Sequence, residues 1–434
     1  MSNVLQRLMS GNFPDPLTGV PVPVPIRSIV IEKSLAGMEA ELVAGLGLGG
    51  TLAIVSDPDT EAAMGARVRK ALSAAARLIH IRLPHHPHAD ESTSRLVERE
   101  GASADAFIAA GSGTVNDLCK YAAALSGKQY AVFATAPSMN GYASRTASIT
   151  VGGMKRTLPA LLPAGVFMDL GVLAASPVRL IRAGVGDSVC RAAVQADWLL
   201  AHLVRGDSYM ELPFLLLAED EDLLLAEPES LVRGDLEAHA CLARVLILTG
   251  LGATYAGGSH AGSQGEHLIS HYMELQEARA DHRGAHDGCH GEQIGVTTIT
   301  MARLQEELLA CDRIRVSPSD LDEAGFTSRY GPELGPTCWK EFHPKRLDAK
   351  AAAAMNEKLE SVWESARRRI EKVTRPSEQI RAILTRMGAP TTPEEIGWKR
   401  SAYQDAVAHA AELRNRYTFL DLARDAGLLR PDSR

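Results

Sequence analysis

The residues that could hold a reactive ion cluster late in the chain. Six of the 14 histidines fall in one window, His260, His267, His271, His282, His286 and His290. Clustered imidazoles suggest metal ligation, while a polar, partly exposed loop is the plainer alternative. His267 follows Ser263-Gln264-Gly265-Glu266, and His290 opens His290-Gly291-Glu292-Gln293. Asp187 closes the glycine-rich lead Ala183-Gly184-Val185-Gly186 into a helix. Two imidazoles and a carboxylate make a three-ligand set with an open position, which catalytic zinc, iron or nickel requires for water or substrate. His267 and His271 share a helix face, but the zincin glutamate of H-E-x-x-H is missing. His271 therefore reads equally as a ligand or as a neighbour of the site or packing, and His282 and His286 as solvated loop residues.

A second group of residues suits a nucleotide. Gly111-Ser112-Gly113-Thr114 follows an expected strand and opens an expected helix, where glycines allow close approach and free N–H groups favour phosphate. The spacing is not G-x-G-x-x-G, so an ordinary strand-to-helix turn is equally compatible. Asp57 ends the strand Thr51–Ser56, where a carboxylate can bond a ribose hydroxyl or simply cap its own turn. Thr135–Tyr142 (TAPSMNGY) is small, polar and kinked, as a loop lining a cleft at strand ends would be.

These residues need a scaffold. Strands are expected at 28–32, 51–56, 78–83, 106–110 and 130–135. Helices are expected at 34–46 (with Ser34 as N-cap), 60–75, 92–100 and 115–125. Alternation of this kind predicts a mainly parallel sheet covered by helices. After Pro177 long Ala/Leu/Glu/Arg segments dominate, as at 191–203, 235–248, 295–311, 349–373, 377–387 and 399–414. The expected organisation is α/β plus all-α, with a parallel-sheet domain over 1–176 and an α-helical domain over 177–434. Phe326–Pro344, broken by glycine and proline, reads as an ordered loop.

Composition narrows the classes. The 434 residues carry 46 Lys+Arg against 53 Asp+Glu, a net charge of −7, so polyanion and anionic-membrane partners are not expected. Hydrophobic residues at 45% and charged residues at 23% are ordinary globular values and exclude a largely disordered chain. Six scattered cysteines form no C-x-x-C pair, so neither a disulfide framework nor a thiolate zinc site is indicated and a reducing compartment fits. No signal-peptide h-region and no run of 18 apolar residues is evident, so a cytoplasmic protein is expected.

Seven segments together resemble the iron-containing (group III) alcohol dehydrogenase superfamily, in particular its sn-glycerol-1-phosphate dehydrogenase branch in the longer bacterial form. They are Gly111–Ala123, Thr135–Ser144, Ala183–Arg191, Ser263–Leu275, His290–Val296, Gly388–Pro390 and Arg414–Ala423. The resemblance implies a dehydroquinate synthase-like fold with its site in the cleft between an N-terminal Rossmann-like NAD-binding domain and a C-terminal helical metal- and substrate-binding domain. It implies Asp187, His267 and His290 as ligands of one divalent metal (zinc, nickel or iron), and Asp57, Gly111, Ser112, Gly113, Thr114, Thr135 and Ser138 as contacts of NAD or NADP. Asp117 corresponds to a family aspartate near substrate or nicotinamide, with Lys120 in the same motif. Asn140 stands where the archaeal enzymes usually carry aspartate.

The implied reaction interconverts dihydroxyacetone phosphate and sn-glycerol 1-phosphate, a step of phospholipid metabolism. A phosphorylated substrate needs a local cation, for which Lys155, Arg156 and Arg145 are candidates, with Lys155 and His271 taken as substrate-binding. A homodimer or higher homo-oligomer is expected. The alternatives are a sister metal-dependent alcohol or glycerol dehydrogenase, a 3-dehydroquinate synthase-like cyclase, and a non-catalytic protein on the same scaffold.

Overall fold

The computed structural model describes residues 3–152, 154–279 and 289–429, which leaves His282 and His286 outside the described residues. Contacts divide the chain into two units. One comprises Met1–Ser188 with Glu211–Ser259, and the other Val189–Met210 with His260–Arg434.

The first unit is built on a parallel sheet. Its strands are β1 (Ser28–Glu32), β2 (Thr51–Ser56), β3 (Arg77–Arg82), β4 (Ala106–Gly111), β5 (Gln129–Ala134) and β8 (Gly165–Asp169), arranged in the order β1-β8-β5-β4-β2-β3. Strands β4 and β8 are buried along their whole length, as expected where helices cover both faces of a parallel sheet. Alternate residues Leu52 and Ile54, Ile108 and Ala110, Ala131 and Phe133, with Phe167, enter one core cluster. The chain runs from β2 outward to β3 and then returns past β2 to β4. The direction of winding therefore reverses between β2 and β4, the place where open sheets of this kind bind ligands beyond the strands' carboxyl ends.

An antiparallel hairpin of β6 (Thr146–Val151) and β7 (Met154–Pro159), pairing Thr150 with Lys155, follows β5. Neither it nor β8 is among the strands read from sequence. The apolar helix Leu236–Tyr255 satisfies the length and hydropathy of a membrane span, yet 67% of its apolar window is buried inside the protein. It is a core helix of this unit, packed on the short helix Leu170–Ala174 and the turn Gly141–Ala143.

Two local expectations are corrected. The helix expected from Ser34 begins at Glu39. The Leu35 N–H instead donates to Asp169 Oδ2 at 2.9 Å, and the chain turns at Gly37 with φ +86° before the helix starts. The expected loop over 326–344 lies largely within the helix Glu323–Phe342, interrupted at Gly331 (φ 81°, ψ 169°). Pro332 directly follows that break, where a missing N–H costs little. Packing of Phe326 against Tyr330, Trp339 and Phe342 holds the two halves.

The second unit is helical where it is described, with Arg191–Arg205, Gly265–Arg279, His290–Leu309, Ala349–Glu371 and Ser377–Met387 among its longer elements. Asp197 ties it together. Its Oδ2 accepts the Gly265 N–H at 2.9 Å and its Oδ1 the Phe419 N–H at 3.0 Å. Burial, reinforced by the Glu266 charge, pushes the Asp197 carboxyl up to about 8.

Candidate active site

Three loops leave adjacent strands on the carboxyl side of the sheet. Asp57 follows β2, Gly111-Ser112-Gly113-Thr114 ends β4, and Thr135 follows β5, its N–H donating to the Gly111 carbonyl at 3.2 Å. Asp57 Oδ1 accepts the Thr60 N–H at 2.8 Å, and Thr60 Oγ1 accepts the Asp57 N–H at 3.0 Å, so one carboxylate oxygen caps the following turn. The helix Gly113–Leu125 begins after Ser112, whose backbone is extended and whose side chain makes no capping bond. First-turn N–H groups there are open to an anion. A Cβ on Gly113 would stand 3.0 Å from Met139 Cγ, so the turn is drawn tightly over its neighbouring loop.

The loop after β5 is fixed from inside. Tyr142 Oη donates to the Ala136 carbonyl at 2.7 Å, with Ser138 beside the same hydroxyl. A Cβ on Gly184 would come within 1.8 Å of the Pro137 carbonyl oxygen, so the helix Val178–Ser188 and this loop meet backbone to backbone. That approach lets the Asn140 N–H donate to Asp187 Oδ2 at 2.8 Å.

Asp117 and Lys120, on the helix Gly113–Leu125, are both buried. Asp117 Oδ2 accepts the Ser148 N–H of β6 at 3.0 Å, and Lys120 Nζ donates to the Gly141 and Thr146 carbonyls at 2.5 and 3.1 Å. Burial pushes the Asp117 carboxyl up and the Lys120 ammonium down, each opposed by the other's charge. The charge of Lys155, half-buried on β7, also bears on Asp117, whereas Arg145 and Arg156 are exposed.

His267 lies in the first turn of Gly265–Arg279, and His290 opens His290–Leu309. The Cys289 N–H donates to Glu292 Oε2 at 2.9 Å and caps His290–Leu309, while Ser270 Oγ donates to Gln293 Oε1 at 2.8 Å and ties the two helices together beside the imidazoles. The His267 and His290 ring centroids are 5.2 Å apart. His267 and His290 are thus an imidazole group of the second unit, while Asp187 lies near the end of the helix Val178–Ser188 of the first. The His271 ring stacks on His290 at 6.2 Å.

Glu266, not singled out in the sequence, is fully buried, and its Oε1 lies 2.7 Å from His267 Nδ1. A carboxylate accepts only, so Nδ1 carries the proton and Nε2 keeps its lone pair for a ligand. The sequence signal was an acidic residue directly before a candidate ligand on a buried helix. Cys190 with Glu266 and His267 forms a second group within 4.8 Å. Because Glu266 already engages His267 Nδ1, we read its carboxylate as supporting that imidazole.

A doubly wound parallel sheet with open phosphate-type turns, and a helical unit carrying paired imidazoles, are parts that a nucleotide- and metal-dependent enzyme needs. Residues 30–177 match the family described as "Iron-containing alcohol dehydrogenase". Among the chain's relatives is a protein of Geobacillus thermodenitrificans (strain NG80-2) named glycerol-1-phosphate dehydrogenase [NAD(P)+]. It is 27% identical over 319 residues, which are 73% of this chain and 70% of the relative. A Bacillus licheniformis protein of the same name is 26% identical over 383 residues, 87% of this chain and 83% of the relative. The fold is similar to that of glycerol dehydrogenase from Schizosaccharomyces pombe, with a TM-score of 0.60 at 15% identity, covering 93% of this chain and 89% of the other.

Proposed function

We propose that the protein interconverts dihydroxyacetone phosphate and sn-glycerol 1-phosphate with NAD(P)H and one divalent metal. The observation that carries this is the pairing of His267 and His290, ring centroids 5.2 Å apart, with His267 held by Glu266. Two nitrogen donors and one carboxylate suit zinc, nickel or iron and leave positions for substrate oxygens. The open first turn at Ser112 and the close-packed Gly113 suit a pyrophosphate, and Asp57 favours NAD, because a carboxylate repels a 2′-phosphate.

When bound, the nicotinamide carries the hydride and the metal acts as a Lewis acid on the substrate oxygen. The chain's own residues set the geometry. Glu266 holds the Nδ1 proton of His267 and fixes its ring, while the Asn140 N–H orients Asp187. Asp117 and Lys155 form the polar wall assigned to the substrate, with the Lys155 ammonium opposing the phosphate. His271, stacked on His290, is assigned to the substrate side of that ring. The relatives' shared name supports the phosphorylated substrate over an unphosphorylated alcohol. A cytoplasmic homodimer completes the reading.

The test is NADH oxidation with dihydroxyacetone phosphate in the presence of Zn²⁺ or Ni²⁺. His267→Ala should lose both bound metal and turnover. Turnover on glycerol but not on dihydroxyacetone phosphate would transfer the protein to a sister dehydrogenase.

A further inference from the structure

The helical unit contains a pocket of about 350 Å³ that shares no residue with Asp187, His267 and His290. Its chemistry comes from Arg205, Ser208, His260, Asn415, Arg416 and Tyr417. The charge balance on its wall is one-sided. Arg205 lies over the Tyr417 ring at 5.0 Å, and its Nε is shut from solvent with no protein acceptor. Arg205 has no ion-pair partner among the described residues, a rare condition for a partly buried guanidinium. Arg416 is half-buried and donates from Nη1 to the Ser263 carbonyl, and the charge of Arg414 repels it. Asp207 is the one acid lining the pocket, and it is exposed. The Lys345 ammonium also reaches this wall, but Asp421 at 2.8 Å and the Ala411 and Arg416 carbonyls at 2.6 Å already engage it, so its part is to hold the Arg416 backbone.

We propose that this pocket binds a small phosphate-bearing anion at a site separate from the one that turns over substrate. Arg205 supplies an unmatched charge and Arg416 a second guanidinium, with Ser208 and the Asn415 side chain as neutral donors at the rim. Two guanidiniums suit a phosphate's several acceptor oxygens. The volume fits a phosphate with a few carbons. Burial, with the charges of Arg416 and Arg414, holds the His260 imidazole down at about 4, so it meets the anion as a neutral ring at physiological pH. The Arg416 charge bears on Glu266, the carboxylate behind His267.

Inorganic phosphate is the probe, titrated by calorimetry into metal-loaded enzyme with bound NAD, for the wild type and for Arg205→Ala. Arg205 is partly exposed and makes no ion pair, so the variant should keep its fold, metal content and KM for dihydroxyacetone phosphate. The expected result is loss of one phosphate per chain, or at least a tenfold weaker Kd for that class. Phosphate binding that is the same in both proteins would overturn the site. A KM that rises in step with the phosphate Kd would make the pocket the substrate's own subsite and overturn its separateness. The titration needs no turnover, so a failure of the assigned reaction would leave this result standing.

Discussion

At the residue scale, the site depends on which atom of each ligand is presented. Glu266 is fully buried, and its Oε1 also accepts the Gln264 N–H at 2.9 Å, so the carboxylate is held from two sides while it orients His267. Glu266→Gln keeps the shape and an acceptor oxygen but removes the charge that supports the imidazole. Metal affinity should fall by about 10–100-fold, as when other residues supporting a ligand histidine are changed, read by competition with a chromophoric chelator. The fold, read by circular dichroism, should stay unchanged. His267 and His290 were legible because histidine is a scarce residue whose types and clustering carry chemistry. Glu266 was not, because its role lies in a 2.7 Å contact that no spacing rule encodes.

At the element scale, two contacts govern how the helices hold their cargo. Gly184 is where the helix bearing Asp187 touches the loop after β5, with no room for a methyl group beside the Pro137 carbonyl. Gly184→Ala should destabilise the protein by roughly 1–3 kcal/mol through overpacking. It should also lower metal occupancy by moving Asp187 away from the Asn140 N–H, an effect that thermal denaturation with metal analysis separates from simple destabilisation. Glu412 is the second contact. Burial raises its pKa, but hydrogen bonds from His409 and Tyr330 and the charge of Arg329 outweigh burial and leave it below the usual 4.5. A carboxyl lowered in the folded state contributes stability above its unfolded value, and that stability is lost as pH falls below about 4.5 toward the folded value. Glu412→Gln should therefore flatten the acid limb of the stability curve, measured by urea denaturation across that range. The buried strands β2, β4 and β5 were legible as apolar runs between turn residues. The hairpin β6–β7 alternates small, polar and apolar residues and gave no comparable run. The helix over Glu323–Phe342 was hidden because Gly331 and two prolines read as breakers, whereas the packing of Phe326, Tyr330, Trp339 and Phe342 overrides them.

At the scale of the whole molecule, the nucleotide turn and the imidazoles belong to different units, since Gly111–Thr114 lies in Met1–Ser188 and His267 and His290 lie in His260–Arg434. A ligand that binds only the folded protein stabilises it by about 2.7 kcal/mol at 100 times its Kd. NADH and Zn²⁺ should thus each raise the melting temperature by its own route. His267→Ala should abolish the Zn²⁺ shift and leave the NADH shift in place. Gly113→Val, which adds bulk where a Cβ already meets Met139 at 3.0 Å, should remove the NADH shift and spare that of Zn²⁺. Differential scanning calorimetry on metal-free protein distinguishes the cases. If either variant lost both shifts while its fold stayed intact, the two ligand sites would be one cooperative assembly and their independence would be wrong. Independent shifts would show that cofactor and metal are recruited separately, each by residues whose chemistry was already visible in the chain.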